Sequence, residues 1–379
     1  MNAEERPLPR DVQSPPIVWL LMILIGLMVV FWWQTRGRIS PLHDPNAVAM
    51  PVVARGDLAD DEKATIALFQ KASPSVVNIT SLARRRDALR MNAMEVPQGT
   101  GSGFIWSDQG YIVTNFHVIK DAQAAQVTLA DRSNWDARLV GVEPDKDIAV
   151  LKIEAPASQM IPVLRGESAN LAVGQKVFAI GNPFGLDQTL TTGVISGLGR
   201  EIQSVTRRPI QDVIQTNAAI NPGNSGGPLL DSAARVIGMN TAIYSPTGSN
   251  VGIGFAVPMD TISRIVPQLI RNGKVERIGL GISLASDQIP AQLGLTGVLV
   301  MDVVEGGGAA KAGIRPTTVD EEGDVHLGDI IIEINGASIQ NSNDLYRAMQ
   351  SVKAGDQVKA VVQRGDKTVT LQVTAQVLK

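Results

Sequence analysis

Gly223-Asn224-Ser225-Gly226-Gly227-Pro228 is the stretch whose reading decides this chain. A serine set among glycines and followed by proline describes a nucleophile on a tight turn. The glycines let backbone N–H groups crowd in where side chains would clash. Such N–H groups can form an oxyanion hole, usually the largest electrostatic contribution to acyl transfer. By itself the hexapeptide also fits an ordinary glycine-rich turn, so its meaning depends on two segments upstream.

The first, Tyr111-Ile112-Val113-Thr114-Asn115-Phe116-His117-Val118, alternates like a strand and runs into a histidine. The chain has three histidines, at 43, 117 and 326. A lone histidine after a strand is more often structural than catalytic. The second, Asp145-Lys146-Asp147-Ile148-Ala149-Val150-Leu151-Lys152, sets an acid before an apolar run that reads as a buried strand. An Asp at such a place is more often a turn residue. Taken together, the three residues follow the order His117, Asp147, Ser225, with separations of 30 and 78 residues. This is the order of chymotrypsin-type proteases. The spacing is compatible with His and Asp on one β-barrel and Ser on the next.

The blocks TNFHVI (114–119), DIAVLK (147–152) and GNSGGP (223–228), in this order, resemble the HtrA/Deg family of serine proteases. The likeness extends to GTGSGFI (99–105), IGNPFG (180–185), QTNAAIN (215–221) and IGFAVP (253–258), and covers roughly residues 65 to 378. It implies a mostly β protein: a chymotrypsin-like double β-barrel followed by an α+β PDZ domain, with an N-terminal transmembrane helix. Asn217 stands where the family usually has Asp. That position lies outside the triad, so the departure concerns a local loop contact and not the chemistry.

Composition narrows the function classes. A chain of 379 residues suggests two or three folded units. The formal net charge of −3 argues against a nucleic-acid binder, whose footprint is a basic stripe. The absence of cysteine excludes a disulfide framework, a thiolate metal site and a cysteine nucleophile. No HExxH or His-rich stretch offers metal ligands. No cofactor and no metal are therefore expected.

Residues 17–33, IVWLLMILIGLMVVFWW, form an uncharged apolar run at the short end of a membrane span. Trp19, Trp32 and Trp33 read as interfacial anchors. The bulky aromatic end is unlike a signal-peptidase site. Ala47-Val48-Ala49 has a cleavage pattern but lies far from the run. An uncleaved anchor is the preferred reading, with residues 1–16 as a cytoplasmic tail and 34–61 as a tether carrying Pro41, Pro45 and Pro51. Arg6 and Arg10 on one side and Arg36 and Arg38 on the other leave charge unable to orient the span. The resemblance places the protease on the periplasmic side of a bacterial inner membrane, single-pass.

Short strands broken by Gly, Pro and Asn fill the protease domain, expected over 62–273 and ending in an amphipathic helix (260–272) stopped by Gly273. The glycines at 99–103 are not followed by Gly-Lys-Ser/Thr and so do not make a phosphate loop. Residues 279–378 form a second unit. Leu327-Gly328-Asp329-Ile330-Ile331-Ile332-Glu333-Ile334-Asn335-Gly336 resembles the centre of a PDZ domain, and Gly279-Leu280-Gly281-Ile282, read as opening a strand, resembles its carboxylate-binding loop. PDZ domains bind peptide C-termini by strand addition. Residues 343–352 are expected as the helix forming the other wall of that groove.

The mechanism expected is peptide-bond hydrolysis through an acyl-enzyme. Ser225 attacks, His117 carries the proton, and Asp147 fixes the imidazole. The backbone of Gly223 and Ser225, with Asn224, would hold the oxyanion. Ala219, Ile220, Ile253, Gly254 and Phe255 would line the substrate pocket, where no acid is available to attract a basic side chain. The resemblance favours small or medium aliphatic residues there. It further implies loops that switch between ordered and disordered forms, here Arg200–Pro209 and Tyr244–Asn250. Arg200 would relay from the PDZ side, with a solvated loop arginine as the alternative. Trimers are implied too, with Phe69 as a candidate contact.

Three hypotheses follow: a membrane-anchored envelope endopeptidase, a PDZ-based peptide-binding scaffold or chaperone with a vestigial protease, and a plastid-type homologue. The intact His117, Asp147 and Ser225 argue against the second. The lack of a Ser- and Arg-rich transit segment argues against the third. Substrates would be unfolded or membrane proteins. The membrane anchor plus one PDZ domain resembles the DegS-like architecture, and tilts the role toward signalling over general quality control.

Overall fold

The computed structural model describes residues 16–35, 44, 47–86, 93–183, 185–243 and 252–378. His43, Arg6, Arg10, Arg36, Arg38, Pro41, Pro45, Phe184 and the segment 244–250 lie outside the described residues. The chain divides into two compact units, Met1–Asp57 and Leu58–Lys379. The first contains helix α1 (Pro16–Thr35), 20 residues with a mean hydropathy of 2.4 and no buried residue. It exceeds the expected apolar run by one residue before and two after, because Pro16 is tolerated in a first helical turn.

The second unit opens with α2 (Asp60–Ala72), whose first turn carries three acids that suit the positive end of its dipole. The Glu62 side chain accepts the Ala59 N–H. Leu68 and Ala72 are its buried face. Strands β1 (Val76–Arg86), β2 (Ala93–Ile105), β3 (Tyr111–Thr114), β4 (Ala124–Thr128), β5 (Asn134–Glu143) and β6 (Ile148–Lys152) close into a barrel in the order β1-β2-β3-β6-β5-β4. The single-turn helix α3 (Phe116–Ile119) follows β3. Alternation along the strands explains the core: Val77, Ile79, Ile105, Ile112 and Leu151 fill the barrel, while Val76, Phe104, Val113 and Val150 face a cluster shared with the next barrel.

That second barrel comprises β7 (Leu164–Arg165), β8 (Lys176–Gly181), β9 (Thr189–Gln203), β10 (Pro209–Thr216), β11 (Pro228–Leu230), β12 (Arg235–Ile243) and β13 (Gly254–Pro258), ordered β11-β8-β9-β10-β13-β12-β7 and closed by β11 pairing with β12. Helix α4 (Met259–Asn272) packs Ile262, Ile265, Val266 and Leu269 inward. It stops where Gly273, at φ 71°, donates to the Leu269 carbonyl. Gly141 must be glycine, because a Cβ there would lie 2.4 Å from the Gly273 oxygen.

The third layer carries β14 (Arg277–Gly279), β15 (Ile282–Leu284), α5 (Gln288–Gln292), β16 (Val298–Val303), α6 (Gly308–Ala312), β17 (Thr318–Val319), β18 (Val325–His326), β19 (Ile330–Ile334), β20 (Ala337–Ser338), α7 (Ser342–Met349), β21 (Gln357–Arg364), β22 (Lys367–Thr374) and β23 (Gln376–Leu378). Its main sheet runs β15-β16-β19-β21-β22 over a core of Val298, Val300, Ile331, Ile334, Val358 and Val373. Strand β14, which begins at Arg277, pairs with the C-terminal β23. Gly279-Leu280-Gly281-Ile282 is no continuous strand: β14 ends at Gly279, β15 starts at Ile282, and between them Gly281 takes φ 78° while Leu280 is buried.

Candidate active site

The acid is set by its backbone. A 3₁₀ turn, Pro144–Lys146, ends in Asp147, whose N–H donates to the Pro144 carbonyl and whose φ is 56°. That region is costly for a non-glycine residue and persists only where surroundings over-determine it. They do so here. The Asp147 carbonyl accepts from the Phe116 N–H (3.1 Å) and from Asn115 Nδ2 (3.1 Å). Oδ1 accepts from the His117 N–H (2.9 Å), and Oδ2 from the Thr241 hydroxyl (2.5 Å). Oδ2 also lies 2.7 Å from His117 Nδ1. With Nδ1 donating to that oxygen, Nε2 is left free to accept a proton.

The turn that carries Ser225 is built by glycine. Asn224 N–H donates to the Asn221 carbonyl (2.9 Å), closing a turn with Pro222 second and Gly223, at φ 103°, third. Pro then a positive-φ Gly is the signature of a type II turn. A Cβ on Gly223 would meet Pro183 at 2.3 Å, and one on Gly226 would meet the Ser102 oxygen at 2.1 Å. Ser102 ties the two barrels at this point: its N–H donates to the Ser225 carbonyl (2.8 Å), its hydroxyl donates to the Gly223 carbonyl (2.5 Å), and its Oγ accepts from the Asn182 N–H (2.8 Å).

His117 and Ser225 line one cavity of about 270 Å³ with Gly99, Thr100, Val118, Pro222 and Thr241. Ser225 Oγ donates to the Thr241 carbonyl at 3.2 Å and makes no hydrogen bond to His117. In ligand-free sites catalytic hydrogen bonds often form only with substrate. Asn224 is corrected as an oxyanion donor, because its N–H is used within the turn. Its side chain works inside the protein, donating to the Ala219 carbonyl (3.3 Å) and accepting from Thr189 Oγ1 (3.4 Å).

The expected pocket residues separate by strand alternation. Gly254 faces the buried Ile220, and a Cβ at 254 would lie 2.6 Å from Ile220 Cγ1. Ala219 and Ile253 are half-buried beside them. Phe255 points the other way, into the cluster shared by the barrels and α4, and does not join Ile220. Sequence reasoning missed Thr241 and Ser102. Ser102 lies inside a block already singled out, whereas nothing around Thr241 marked it.

The expected switch segment 200–209 is a hairpin, the end of β9 and start of β10 around a turn at 204–208. Arg200 pairs with Val213 in the β9–β10 ladder, and its exposed side chain makes no hydrogen bond or ion pair among the described residues. Its neighbours engage the third layer instead: Glu201 accepts two hydrogen bonds from Arg347 (2.7 and 2.8 Å), and Arg208 donates to Asn343 (3.5 Å). The expected segment Tyr244–Asn250 lies outside the described residues. At the far end of the third layer, the Leu280 and Gly281 carbonyls accept from Ala309 (3.0 Å) and Val304 (2.9 Å) N–H groups. Half-buried Ile282 and Leu284 on β15 pack against the same cluster as Leu345 and Met349 of α7.

No group of metal-ligating side chains occurs among the described residues. Fold and site define a chymotrypsin-like serine endopeptidase joined to one PDZ domain. Residues 101–239 match the trypsin-like peptidase domain family and residues 268–375 the PDZ domain family. The chain is 57% identical over 330 residues to the chloroplastic Protease Do-like 1 of Arabidopsis thaliana, spanning 87% of this chain and 75% of that protein. It is 43% identical over 285 residues to a probable periplasmic serine endoprotease, DegP-like, of Brucella suis, covering 74% of this chain and 53% of that one. The solved structure of the HtrA-type protease AlgW with decapeptide is 32% identical with a TM-score of 0.62, covering 82% of this chain and 98% of that one. This chain belongs to the HtrA/Deg family of serine proteases.

Proposed function

We propose that the chain is a membrane-anchored endopeptidase in which His117, Asp147 and Ser225 form the triad. The observation that carries this is the His117 ring held on Asp147 at 2.7 Å with Ser225 on the wall of the same cavity. Ser225 Oγ turns from the Thr241 carbonyl to His117 Nε2, loses its proton there and attacks the scissile carbonyl. His117 then returns the proton to the leaving amine while Asp147 stabilises the imidazolium. The N–H groups of Gly223 and Ser225 hold the oxyanion on the turn that Pro222 and Gly223 shape. Ile220, packed against Gly254, leaves a shallow pocket for small or medium aliphatic side chains.

The PDZ domain takes peptides with a free, apolar C-terminus at Gly279–Ile282, against β15 and α7. The tying of the Leu280 and Gly281 carbonyls into the domain supports this, as does the decapeptide that accompanies the related protease AlgW. Helix α1 anchors the chain to a membrane, and copies assemble as homotrimers with α2 and Phe69 at the contact. A signalling protease is preferred to general quality control. For placement, the periplasmic Brucella relative supports a bacterial inner membrane with both domains outside, while the chloroplastic Arabidopsis relative favours a plastid counterpart.

The test of the activity is cleavage of unfolded casein by the purified chain and its Ser225→Ala variant. The expected loss is on the order of 10⁶-fold with binding of a C-terminal peptide intact. Undiminished cleavage by the variant overturns the assignment.

A further inference from the structure

Asp147 is preceded by two ionisable residues that are buried, Asp145 at 6% and Lys146 at 7% exposure, and the side-chain hydrogen bonds of both among the described residues run to the β9–β10 hairpin. Asp145 accepts from the Thr206 hydroxyl at 2.6 Å in the β9–β10 turn and pairs with Arg277 of β14 at 3.2 Å. Lys146 Nζ donates to the Pro209 carbonyl at 3.3 Å and sits 5.4 Å over the ring of Tyr346 on α7. The Tyr346 ring also takes Arg208 at 5.4 Å. One aromatic ring of the PDZ helix thus contacts both the turn that ends in the triad acid and the hairpin beside it. Glu143, Asp145, Arg208, Arg264, Glu276 and Arg277 are the charged groups that share this cavity with Lys146 and Tyr346, and Asp212 also acts on Lys146.

We propose that Tyr346 is a positioning residue for catalysis: through its ring it holds Lys146, and through Lys146 the turn that sets Asp147 against His117. The inference rests on the triad reading above. A buried ammonium must keep strong partners or move to water. Lys146 has one carbonyl, the ring face and nearby carboxylates. Burial pushes its pKa down, with Arg264 adding to the effect and Glu143, Asp145 and Asp212 opposing it, so the ammonium stays short of compensation and the ring face is a contact it can ill lose. Burial raises the Tyr346 hydroxyl to about 12, so the ring meets Lys146 as a neutral phenol. Without the ring the ammonium swings outward, and the next residue is Asp147, at φ 56° and dependent on its surroundings for that conformation. The aromatic face, and not the hydroxyl, is the active part.

The test uses the full chain in detergent and a short fluorogenic substrate with an amidated C-terminus, which bypasses peptide capture by the PDZ domain. Tyr346→Leu is expected to lower kcat about tenfold, the scale of a desolvated cation–π contact, with KM unchanged. Tyr346→Phe is expected to stay within about twofold of the parent, since the ring face is kept. Lys146→Met, made on the protease side and independent of PDZ folding, is expected to match Tyr346→Leu, and the double variant to be no worse than either. An unchanged or raised kcat in Tyr346→Leu, a Tyr346→Phe enzyme as impaired as Tyr346→Leu, or additive losses in the double variant overturn the proposal. Ser225→Ala cleaving casein would instead remove the triad reading beneath it.

Discussion

Two buried aspartates, Asp147 and Asp329, are accommodated by this chain in opposite ways. Asp329, fully buried, receives a two-pronged grip from Arg364 (2.8 Å at each oxygen) and the Arg315 N–H (2.9 Å). Those hydrogen bonds hold the Arg364 guanidinium above its ordinary range. A guanidinium answers the carboxylate, and through it Arg364 of β21 is tied to the residue before β19 and to the Gly313 carbonyl after α6. Asp147 has no fixed cation on its carboxylate. Its partners are a backbone N–H, a hydroxyl and an imidazole that can take a second proton. A buried acid with an arginine anchors a fold. A buried acid whose partner exchanges protons is placed to do chemistry.

The comparison breaks most visibly at Asp147→Asn, which cannot accept the Nδ1 hydrogen in the same way and selects the wrong imidazole tautomer. A loss of kcat of about 10⁴-fold is expected with unfolding by urea little changed. A stability loss with normal turnover of the folded fraction would make Asp147 a structural acid like Asp329. The converse variant, Asp329→Asn, leaves Arg364 facing a neutral amide and is expected to cost about 3 kcal/mol of stability. Urea denaturation followed by far-ultraviolet dichroism reads this, and the folded enzyme should keep its kcat.

A smaller effect sharpens the account of Asp147. Thr241→Val removes the hydroxyl that donates to Oδ2, and hydrogen bonds to charged groups are worth roughly 1.5–3 kcal/mol. Steady-state kinetics should show kcat reduced by about tenfold or more, with KM little altered. Turnover equal to the parent would mean that the His117 contacts alone fix the acid. Smallest is Gly281→Ala. Its φ of 78° disfavours any Cβ, and that atom would lie 2.8 Å from Gln376 Nε2. C-terminal peptide affinity, measured by fluorescence anisotropy, should fall about fivefold or more, the scale of one residue forced into that region. Unchanged affinity would move the carboxylate site away from this turn.

What the sequence made legible follows from how local each feature is. His117, Asp147 and Ser225 each sit inside a short block with its own pattern, so their order could be read without coordinates. The double barrel came with the family resemblance that those blocks carry, the PDZ unit from Gly279–Ile282 and Leu327–Gly336, and the break between the two from Gly273. Thr241 was not legible, because its role depends on a pairing across 94 residues with no local mark. Nor was the loss of Asn224 as an oxyanion donor, which depends on a turn closing back to Asn221. Phe255 was misplaced because both faces of β13 are buried, and an apolar alternation there does not say which core each residue meets. The contacts of Tyr346, Arg347 and Arg277 with the protease domain were invisible for the same reason: long charged and aromatic side chains on a helix and a short strand read as a solvated surface until the neighbouring domain is in place.

The most direct measurement is covalent labelling of the folded enzyme with a fluorophosphonate, read by mass spectrometry of the proteolytic fragments. A triad in working order predicts one adduct per chain, on Ser225, absent from His117→Ala and strongly slowed in Asp147→Asn. Casein cleavage by a folded enzyme that takes no adduct, or takes it on a residue other than Ser225, would contradict the account.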